Sequence, residues 1–258
     1  MNPAAGGKVR MAIRFLSLFA GIGGFDLGLE RAGWQCVGQV EIDPFCRRVL
    51  AKHWPNVVRF EDVREVTGEL VRERCGDVDA IVGGFPCQDI SFAGAGAGLD
   101  GERSGLWKEL YRIICELRPR IALMENVAAL LNRGIDRVLA DLARIGYDAE
   151  WSIVSVCSMG APHMRRRLFI VAYPNSLFRR ESVRYFENRE NAIQAIDRFE
   201  SARADYAMRM ANASELYRDI DGVPFGLDRA RAVGNAVAPD VAQWIGERIN
   251  ESFTEALQ

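Results

Sequence analysis

The chain has 258 residues, enough for one large domain or a large domain with a small appendage. Hydrophobic residues make up 49% of the sequence, which supports a sizeable core and argues against a disordered protein. The net charge of −2 excludes the strong overall basic balance typical of many nucleic-acid-binding proteins. A locally basic cleft within a mildly acidic domain remains compatible with this value.

The six cysteines form no Cys-x-x-Cys pair, and most of them lie in apolar runs. This usage is typical of a reduced, cytoplasmic protein rather than of a disulfide scaffold or a zinc site. The first apolar run, Met11 to Phe25, contains Arg14 and ends in glycines, so we predict neither a membrane span nor a targeting segment. Residues 1–10 are expected to form a disordered leader.

Short apolar runs alternate with stretches of helical periodicity over residues 13–173. The predicted strands are Ile13–Phe19, Cys36–Val40, Ala80–Val82, Ile121–Met124 and Leu168–Tyr173, and the predicted helices are Phe25–Ala32, Pro44–His53, Leu106–Leu117 and Val127–Ile145. This alternation predicts an α/β fold with a mostly parallel sheet and helices on both faces. Such sheets bind their ligands beyond the carboxyl ends of the strands, so candidate functional residues are those that follow each strand.

The pattern changes after Pro174. Residues 175–221 are polar and highly charged, and their apolar residues recur at spacings that predict amphipathic helices. A break at Gly222–Pro224 follows, and an apolar helix is predicted over Val241–Phe253. We therefore divide the chain into a leader (1–10), a main α/β domain (11–174), a short helical region (175–224) and a C-terminal segment (225–258).

The first strand runs into a glycine loop, Phe19-Ala20-Gly21-Ile22-Gly23-Gly24, that opens a helix. Its glycines allow the tight turn and close backbone approach that a bulky cofactor needs. Glu41 ends the next strand, where an acid can bind ribose hydroxyls, and Asp43 before Pro44 is predicted to cap the following helix. The loop alone separates a methyl donor neither from a dinucleotide nor from an ordinary strand–turn–helix.

Cys87 follows the strand Ala80–Val82 on a loop that Pro86 stiffens. An isolated cysteine is more often a core residue, but this one lies at the carboxyl end of a strand. Glycines at positions 94, 96 and 98 predict a loop that can close over a substrate. We therefore predict a functional role for Cys87.

Glu125 and Asn126 come directly after the predicted strand Ile121–Met124. Asn126 is predicted to cap the next helix, which leaves Glu125 to point into the cleft. Arg165, Arg166 and Arg167 precede the last strand, and such a charge run is usually a solvated face. Strand alternation nevertheless places Arg165 and Arg167 on one side and Arg166 on the other.

Five motifs occur in a fixed order: Phe19-x-Gly21-x-Gly23-Gly24, Phe85-Pro86-Cys87-Gln88, Glu125-Asn126-Val127, Arg165-x-Arg167 and Gly234-Asn235-Ala236-Val237-Ala238-Pro239. Together they resemble the ordered motif set of the cytosine-5 DNA methyltransferases, over residues 13–173 and 228–250. The resemblance implies a Rossmann-like, S-adenosylmethionine-dependent methyltransferase fold. It also implies that residues 175–224 form a small helical target-recognition region and that residues 225–258 return to the catalytic domain.

The resemblance further implies roles for individual residues. Cys87 would be the nucleophile that attacks a flipped-out cytosine, Glu125 would contact ring N3 and the exocyclic amine, and Arg165 and Arg167 would hold the ring carbonyl and orient Glu125. The implied S-adenosylmethionine-binding residues are Phe19, Gly21, Gly23, Gly24, Glu41, Ile42, Asp62, Val63, Asn235 and Val237. The expected nucleic-acid contacts are Gln88, Ser91, Arg179 and Arg180, and no metal is expected.

Two features depart from the family pattern. His163 stands where many members carry glutamine, and the recognition region is much shorter than is usual. We therefore expect weak binding to double-stranded DNA, unless a second subunit supplies the missing surface; a restriction partner is also left open. Methylation of transfer RNA and a non-catalytic DNA-binding relative remain alternatives, whereas a dinucleotide oxidoreductase would explain only the glycine loop.

Overall fold

The computed structural model of the protein describes residues 12–86, 106–156, 165–177 and 236–256. Its strands are β1 (Arg14–Leu18), β2 (Gln35–Val40), β3 (Val58–Phe60), β4 (Ala80–Gly84), β5 (Ile121–Val127), β6 (Tyr147–Ser155) and β7 (Arg166–Pro174). They form one sheet in the order β3-β2-β1-β4-β5-β7-β6. The pairs from β3 to β5 are parallel, whereas β7 lies antiparallel between β5 and β6. The predicted α/β architecture with a mostly parallel sheet is confirmed.

The helices are α1 (Gly24–Arg31), α2 (Pro44–His53), α3 (Gly68–Cys75), α4 (Leu106–Leu117), α5 (Leu130–Arg133), α6 (Ile135–Arg144) and α7 (Pro239–Ala256). A 3₁₀ turn, Val63–Glu65, follows β3. The start of α2 is as predicted: the Asp43 carboxylate accepts hydrogen bonds from the N–H groups of Phe45 and Cys46 at 2.7 and 3.1 Å. The amphipathic helices predicted between 183 and 199 lie outside the described residues.

Helices cover both faces of the sheet because side chains alternate along each strand. Leu16 and Leu18 of β1 contribute to one core, which includes buried residues of α3, α4, α5 and α6. Phe15 points the other way, into a second core formed with α1 and α7. The sheet is therefore the middle of three layers. Within the described ranges, no helix is long and apolar enough to cross a membrane.

The predicted secondary structure differs from the observed elements in several places. The helix expected over Val127–Ile145 is two helices, α5 and α6, separated by Gly134 at φ 149°, and β5 continues to Val127. Strands β3 and β6 and helix α3 were not predicted. Strand β6 is an edge strand with mixed burial, and Trp151 near its middle is 44% exposed, so its sequence shows neither a continuous apolar run nor a clean alternation.

The last helix returns to the first. A side chain at Gly28 of α1 would overlap the backbone of Pro239, and one at Gly246 would lie 2.9 Å from Leu29, so these glycines allow close packing of α1 on α7. Asn250 accepts a hydrogen bond from Trp34 Nε1 at 3.1 Å and donates one to the carbonyl oxygen of Ala32 at 2.8 Å. This packing brings residues 236–238 to the glycine loop.

Candidate active site

The carboxyl edge of the sheet gathers most of the described candidate residues. The glycine loop follows β1, Glu41 follows β2, and Asp62 follows β3. Because β7 runs antiparallel to β5, its first residues lie at this same edge, where Arg167 is opposite Val127. Residues that are distant in sequence therefore lie along the same edge of the sheet.

Glu125 is the buried acid of this edge, with only 7% of its surface exposed. The Nε atom of Arg167 lies 2.9 Å from Glu125 Oε1. Burial raises the pKa of Glu125 to about 7, because it disfavours the charged form, while the positive charges of Arg167 and Arg165 oppose this rise. Glu125 can therefore exchange a proton near neutral pH.

The two arginines predicted to share a side do so. Arg167 pairs with Glu125, and Arg165 is close enough to influence the pKa of Glu125. Arg166 between them is exposed. Burial and the neighbouring Arg167 lower the pKa of Arg165 from its ordinary value. The arginine run is thus partly a component of the site rather than a wholly solvated face.

Asn126 does not cap a helix, so that prediction is wrong. The residue before α5 is Ala129, and no side chain caps that helix. Asn126 instead donates a hydrogen bond to the carbonyl oxygen of Phe85 at 3.1 Å and accepts one from the N–H of Val127 at 2.8 Å. It remains in β5 because that strand extends past Glu125.

Gly84 leaves space for the acid. It is the register partner of Glu125, and a Cβ atom at this position would lie 2.9 Å from Glu125 Oε2. The end of β4 therefore contacts the carboxylate through main chain alone. Phe85 and Pro86 then lead towards Cys87, which lies outside the described residues together with Gln88 and Ser91.

The glycine loop runs through left-handed backbone angles, which glycine adopts freely but which strain Phe19. Phe19 has φ 54°, an unusual value for a residue with a side chain, and Gly21 and Gly23 have φ 56° and 87°. The N–H of Gly21 donates to Glu41 Oε2 at 2.7 Å. Glu41 thus holds the loop that precedes α1.

Glu41 makes a second backbone contact, because its Oε1 atom accepts a hydrogen bond from the N–H of Asp43 at 2.8 Å. Burial raises the pKa of Glu41 from its ordinary value, although the hydrogen bonds from Asp43 and Gly21 oppose the rise. The carboxylate is fixed between two loops, with Ile42 beside it 62% exposed. An acceptor next to exposed apolar surface suits a ligand with both hydroxyl groups and an aromatic ring.

Asp62 lies at the start of the 3₁₀ turn, and Val63 next to it is buried. Arg64 binds the Asp62 carboxylate through its guanidinium group, with Nε at 2.9 Å from Oδ1. Hydrogen bonds from Arg64 lower the pKa of Asp62, so this carboxylate is charged at neutral pH.

The segment before α7 completes the edge. A side chain at Gly24 would overlap the carbonyl oxygen of Val237. Only glycine allows this approach of α1 to the C-terminal segment. Val237 is thereby placed at the glycine loop, whereas Asn235, Arg179 and Arg180 lie outside the described residues.

Sequence reasoning missed one buried acid, Asp26. Its carboxylate accepts hydrogen bonds from Ser17 Oγ at 2.9 Å, Gln39 Nε2 at 2.9 Å and the Cys36 thiol at 3.3 Å. Burial raises its pKa. The network ties α1 to β1 and β2 beneath the glycine loop. The signal available in the sequence was an acid within the otherwise apolar start of a helix.

Solved structures share this architecture. A crystal structure described as a DNA modification methyltransferase encoded within an E. coli prophage superposes with a TM-score of 0.55 at 30% identity, covering 64% of this chain and 48% of that one. A Spodoptera frugiperda DNMT2 mutant superposes with a TM-score of 0.56 at 22% identity, which shows the fold alone. The fold is therefore the Rossmann-like α/β fold of methyltransferases.

Sequence comparison gives the family. Residues 13–219 match the model of the C-5 cytosine-specific DNA methylases, and the chain belongs to this family. Type II methyltransferase M2.BsuMI of Bacillus subtilis (strain 168) is 36% identical over 168 residues, which cover 62% of this chain and 42% of that protein. Type II methyltransferase M.Eco47II of Escherichia coli is 39% identical over 169 residues, 63% of this chain and 40% of that protein. The chain thus matches about two fifths of each of these relatives.

Proposed function

We propose that the protein transfers a methyl group from S-adenosylmethionine to carbon 5 of a cytosine in double-stranded DNA. The observation that carries this proposal is the buried Glu125, which has a pKa of about 7 and an ion pair with Arg167. An acid tuned in this way can share a proton with a ring nitrogen at neutral pH.

The part of the site formed by Glu125, Arg165 and Arg167, the base half, suits a cytosine ring. Glu125 would contact N3 and the exocyclic amine, and Arg165 and Arg167 would hold the oxygen at position 2. Ring carbon 5 is a weak nucleophile until charge is pushed into the ring, and the half-buried Arg165 and Arg167 beside the carboxyl group would stabilise the charge that then develops. Because the pyrimidine edge is hidden in a duplex, the target base must leave the helix to reach a buried acid.

The other part of the site, the cofactor half, is formed by the glycine loop, Glu41, Ile42 and Asp62. It suits S-adenosylmethionine, which supplies the methyl group when bound. Glu41 would accept hydrogen bonds from the ribose hydroxyls, and Asp62 would accept one from the adenine amine. Ile42 provides apolar surface for the adenine ring. Phe19, Gly21, Gly23, Gly24 and Val63 would line the rest of the pocket with Val237 and Asn235.

Cys87 would be the nucleophile. Its thiolate would form a bond to carbon 6 while the ring π electrons move towards carbon 5. Carbon 5 would then take the methyl group as the bond between that group and the sulfonium sulfur breaks, and S-adenosylhomocysteine would leave. A base removes the proton from carbon 5, and the electron pair left behind expels the thiolate and restores the double bond. The enzyme would return unchanged.

Contacts with DNA are proposed for Gln88 and Ser91 near the nucleophile, and for Arg179 and Arg180 after the last strand. Arginines in residues 175–221 are interleaved with acids, so the local field is weak and few phosphate contacts are expected. We therefore expect modest DNA affinity and a short or relaxed target, unless a second subunit adds surface.

The test is incubation of the full chain with methyl-labelled S-adenosylmethionine and either duplex DNA or transfer RNA, followed by sequencing of the methylated positions. The proposal expects 5-methylcytosine in DNA. Labelling of transfer RNA alone would show that transfer RNA, rather than DNA, is the substrate. Absence of label in both, from folded protein that binds DNA, would support the non-catalytic alternative.

A further inference from the structure

Asn126 lies beside the acid of the site, and the proposed reaction gives it no role. Its side chain is buried, with 2% of the residue exposed. Both ends of the amide are used: Nδ2 donates to the carbonyl oxygen of Phe85 at 3.1 Å, and Oδ1 accepts from the N–H of Val127 at 2.8 Å. A buried amide with both ends bonded is held in one orientation.

The position of Asn126 in the sheet shows which strands these hydrogen bonds connect. The ladder between β4 and β5 ends at the pair of Gly84 and Glu125. Phe85 is the next residue on one side and Asn126 the next on the other. The asparagine side chain therefore continues the connection of the two strands one residue beyond their backbone pairing.

Asn126 is also fixed to the arginine strand. It pairs with Leu168 of β7, and the following Val127 pairs with Arg167. One dipeptide, Glu125 and Asn126, thus supplies the acid and bonds to the segment that leads to Cys87. Val127, on the same strand, pairs with Arg167 and holds it in register.

Phe85 is held from two sides. Its carbonyl oxygen accepts the bond from Asn126, and its ring packs against Trp107 with ring centroids 5.5 Å apart. Trp107 is itself fixed by a hydrogen bond from Nε1 to Asp141 at 3.0 Å. Only Pro86 separates this anchored residue from Cys87, so the direction in which the chain leaves β4 is set at Phe85.

We propose that Asn126 is a positioning residue for methyl transfer, which fixes Phe85, two residues before Cys87, relative to Glu125 and Arg167. The inference rests on the proposed function, in which Cys87 attacks the base that Glu125 holds. An amide is required because it donates to Phe85 and accepts from Val127. A carboxylate at this position has the same shape and can accept, but it cannot donate.

The experiment compares Asn126→Ala with Asn250→Ala. Asn250 is a matched control, because its side chain also accepts one hydrogen bond from an N–H, that of Trp34 Nε1, and donates one to a backbone carbonyl, that of Ala32. It lies in α7, away from the acid. Asn126→Asp, which loses the donor and keeps the shape, serves as a second variant.

Four quantities are measured on the full chain: the thermal midpoint, the affinity for S-adenosylmethionine, kcat for DNA methylation, and the rate of covalent adduct formation with DNA that carries 5-fluorocytosine. Both alanine variants should lower the thermal midpoint and keep cofactor affinity. Asn126→Ala should lower kcat and the adduct rate about 100-fold, the loss typical of a misplaced reacting group. Asn250→Ala should keep kcat close to that of the wild type.

Equal kcat values for the two alanine variants, per folded molecule, would overturn the positioning role, and so would a wild-type adduct rate in Asn126→Asp. Both results leave the proposed function intact as long as the wild-type protein forms the adduct. A wild-type protein that methylates nothing and forms no adduct would instead remove the proposed function.

Discussion

Two carboxylates lie at the same edge of the sheet, Glu41 after β2 and Glu125 towards the end of β5. They differ in the groups that contact them. Burial raises the pKa of both. Glu41 accepts hydrogen bonds from backbone N–H groups of Gly21 and Asp43, which never change charge. Glu125 faces the guanidinium of Arg167 and has a pKa of about 7. The first is a fixed acceptor, and the second is a group that can change its protonation state.

The difference separates the site into two halves. The proposed cofactor half is built from main chain: a loop with positive φ angles, glycines in close contact and an acid bound to backbone. The proposed base half is built from charged side chains on β5 and β7. We therefore expect substitutions in the cofactor half to act on binding, and substitutions in the base half to act on rate.

The largest effect is expected for Glu125→Gln. This variant keeps the shape of the side chain and removes the exchangeable proton, so kcat should fall by about 10²–10⁴-fold, the range for loss of a general acid or base. Calorimetry should show unchanged affinity for S-adenosylmethionine. Equal turnover by the wild type and the variant would show that charge at this position is irrelevant.

Glu41→Ala should have a smaller effect, on a different quantity. Loss of the fixed acceptor should weaken binding of S-adenosylmethionine by about 1–3 kcal/mol, as for a lost hydrogen bond to a charged group. At saturating cofactor, kcat should recover. Calorimetric affinity equal to that of the wild type would remove Glu41 from the cofactor site, and a large loss of kcat at saturation would abolish the distinction between the halves.

The smallest effect is a shift in the titration of Glu125 itself. Since Arg167 stabilises the charged form, Arg167→Gln should raise the pKa of Glu125 above about 7. Arg166→Gln, which removes the exposed neighbour, is the matched control and should leave the titration unchanged. Carbon-13 NMR of labelled glutamate side chains measures both, and identical shifts in the two variants would contradict the ion pair.

Glu125 also determines how the free energy of unfolding and kcat/KM depend on pH. An unfolded glutamate ionises near 4.5, and Glu125 in the folded protein near 7. Glu125 therefore favours folding most below pH 4.5, and the free energy of unfolding loses this contribution as pH rises through about 7. The protonated acid is the form that can donate to N3, so kcat/KM should also decline above about pH 7. Glu125→Gln should show neither decline.

Much of the fold was readable from the sequence, because local signals agreed with tertiary contacts. The Asp43–Pro44 cap fixed the start of α2, and the alternation of Arg165, Arg166 and Arg167 matched their sides in the structure. Edge strand β6 was missed since it is only partly covered on its faces. The extension of β5 through Asn126 was missed because β7 continues to pair with it there, which is a long-range contact.

For the proposed site, the sequence predicted where some residues lie but not which groups they contact. Strand ends predicted that Glu41 and Glu125 would lie at one edge, but nothing local predicted their different partners. The backbone bonds of Glu41 depend on the shape of the Gly21 loop, and the pKa of Glu125 depends on burial. The hydrogen bonds of Asp26 join α1, β1 and β2, and the bond from Asn126 to Phe85 joins β5 to the end of β4, so neither could be predicted from local sequence.

The most direct test of the account is trapping of the covalent intermediate, because it needs both halves at once. Fluorine at carbon 5 cannot leave as a proton does, so the methylated adduct should persist on DNA that carries 5-fluorocytosine. With S-adenosylmethionine present, the wild-type chain should show a band that survives denaturing electrophoresis and maps to Cys87 by mass spectrometry. Cys87→Ser, whose hydroxyl is far less ionised than a thiol, should give none. Methylation of cytosine without any adduct, or an adduct formed by Cys87→Ser, would contradict the account.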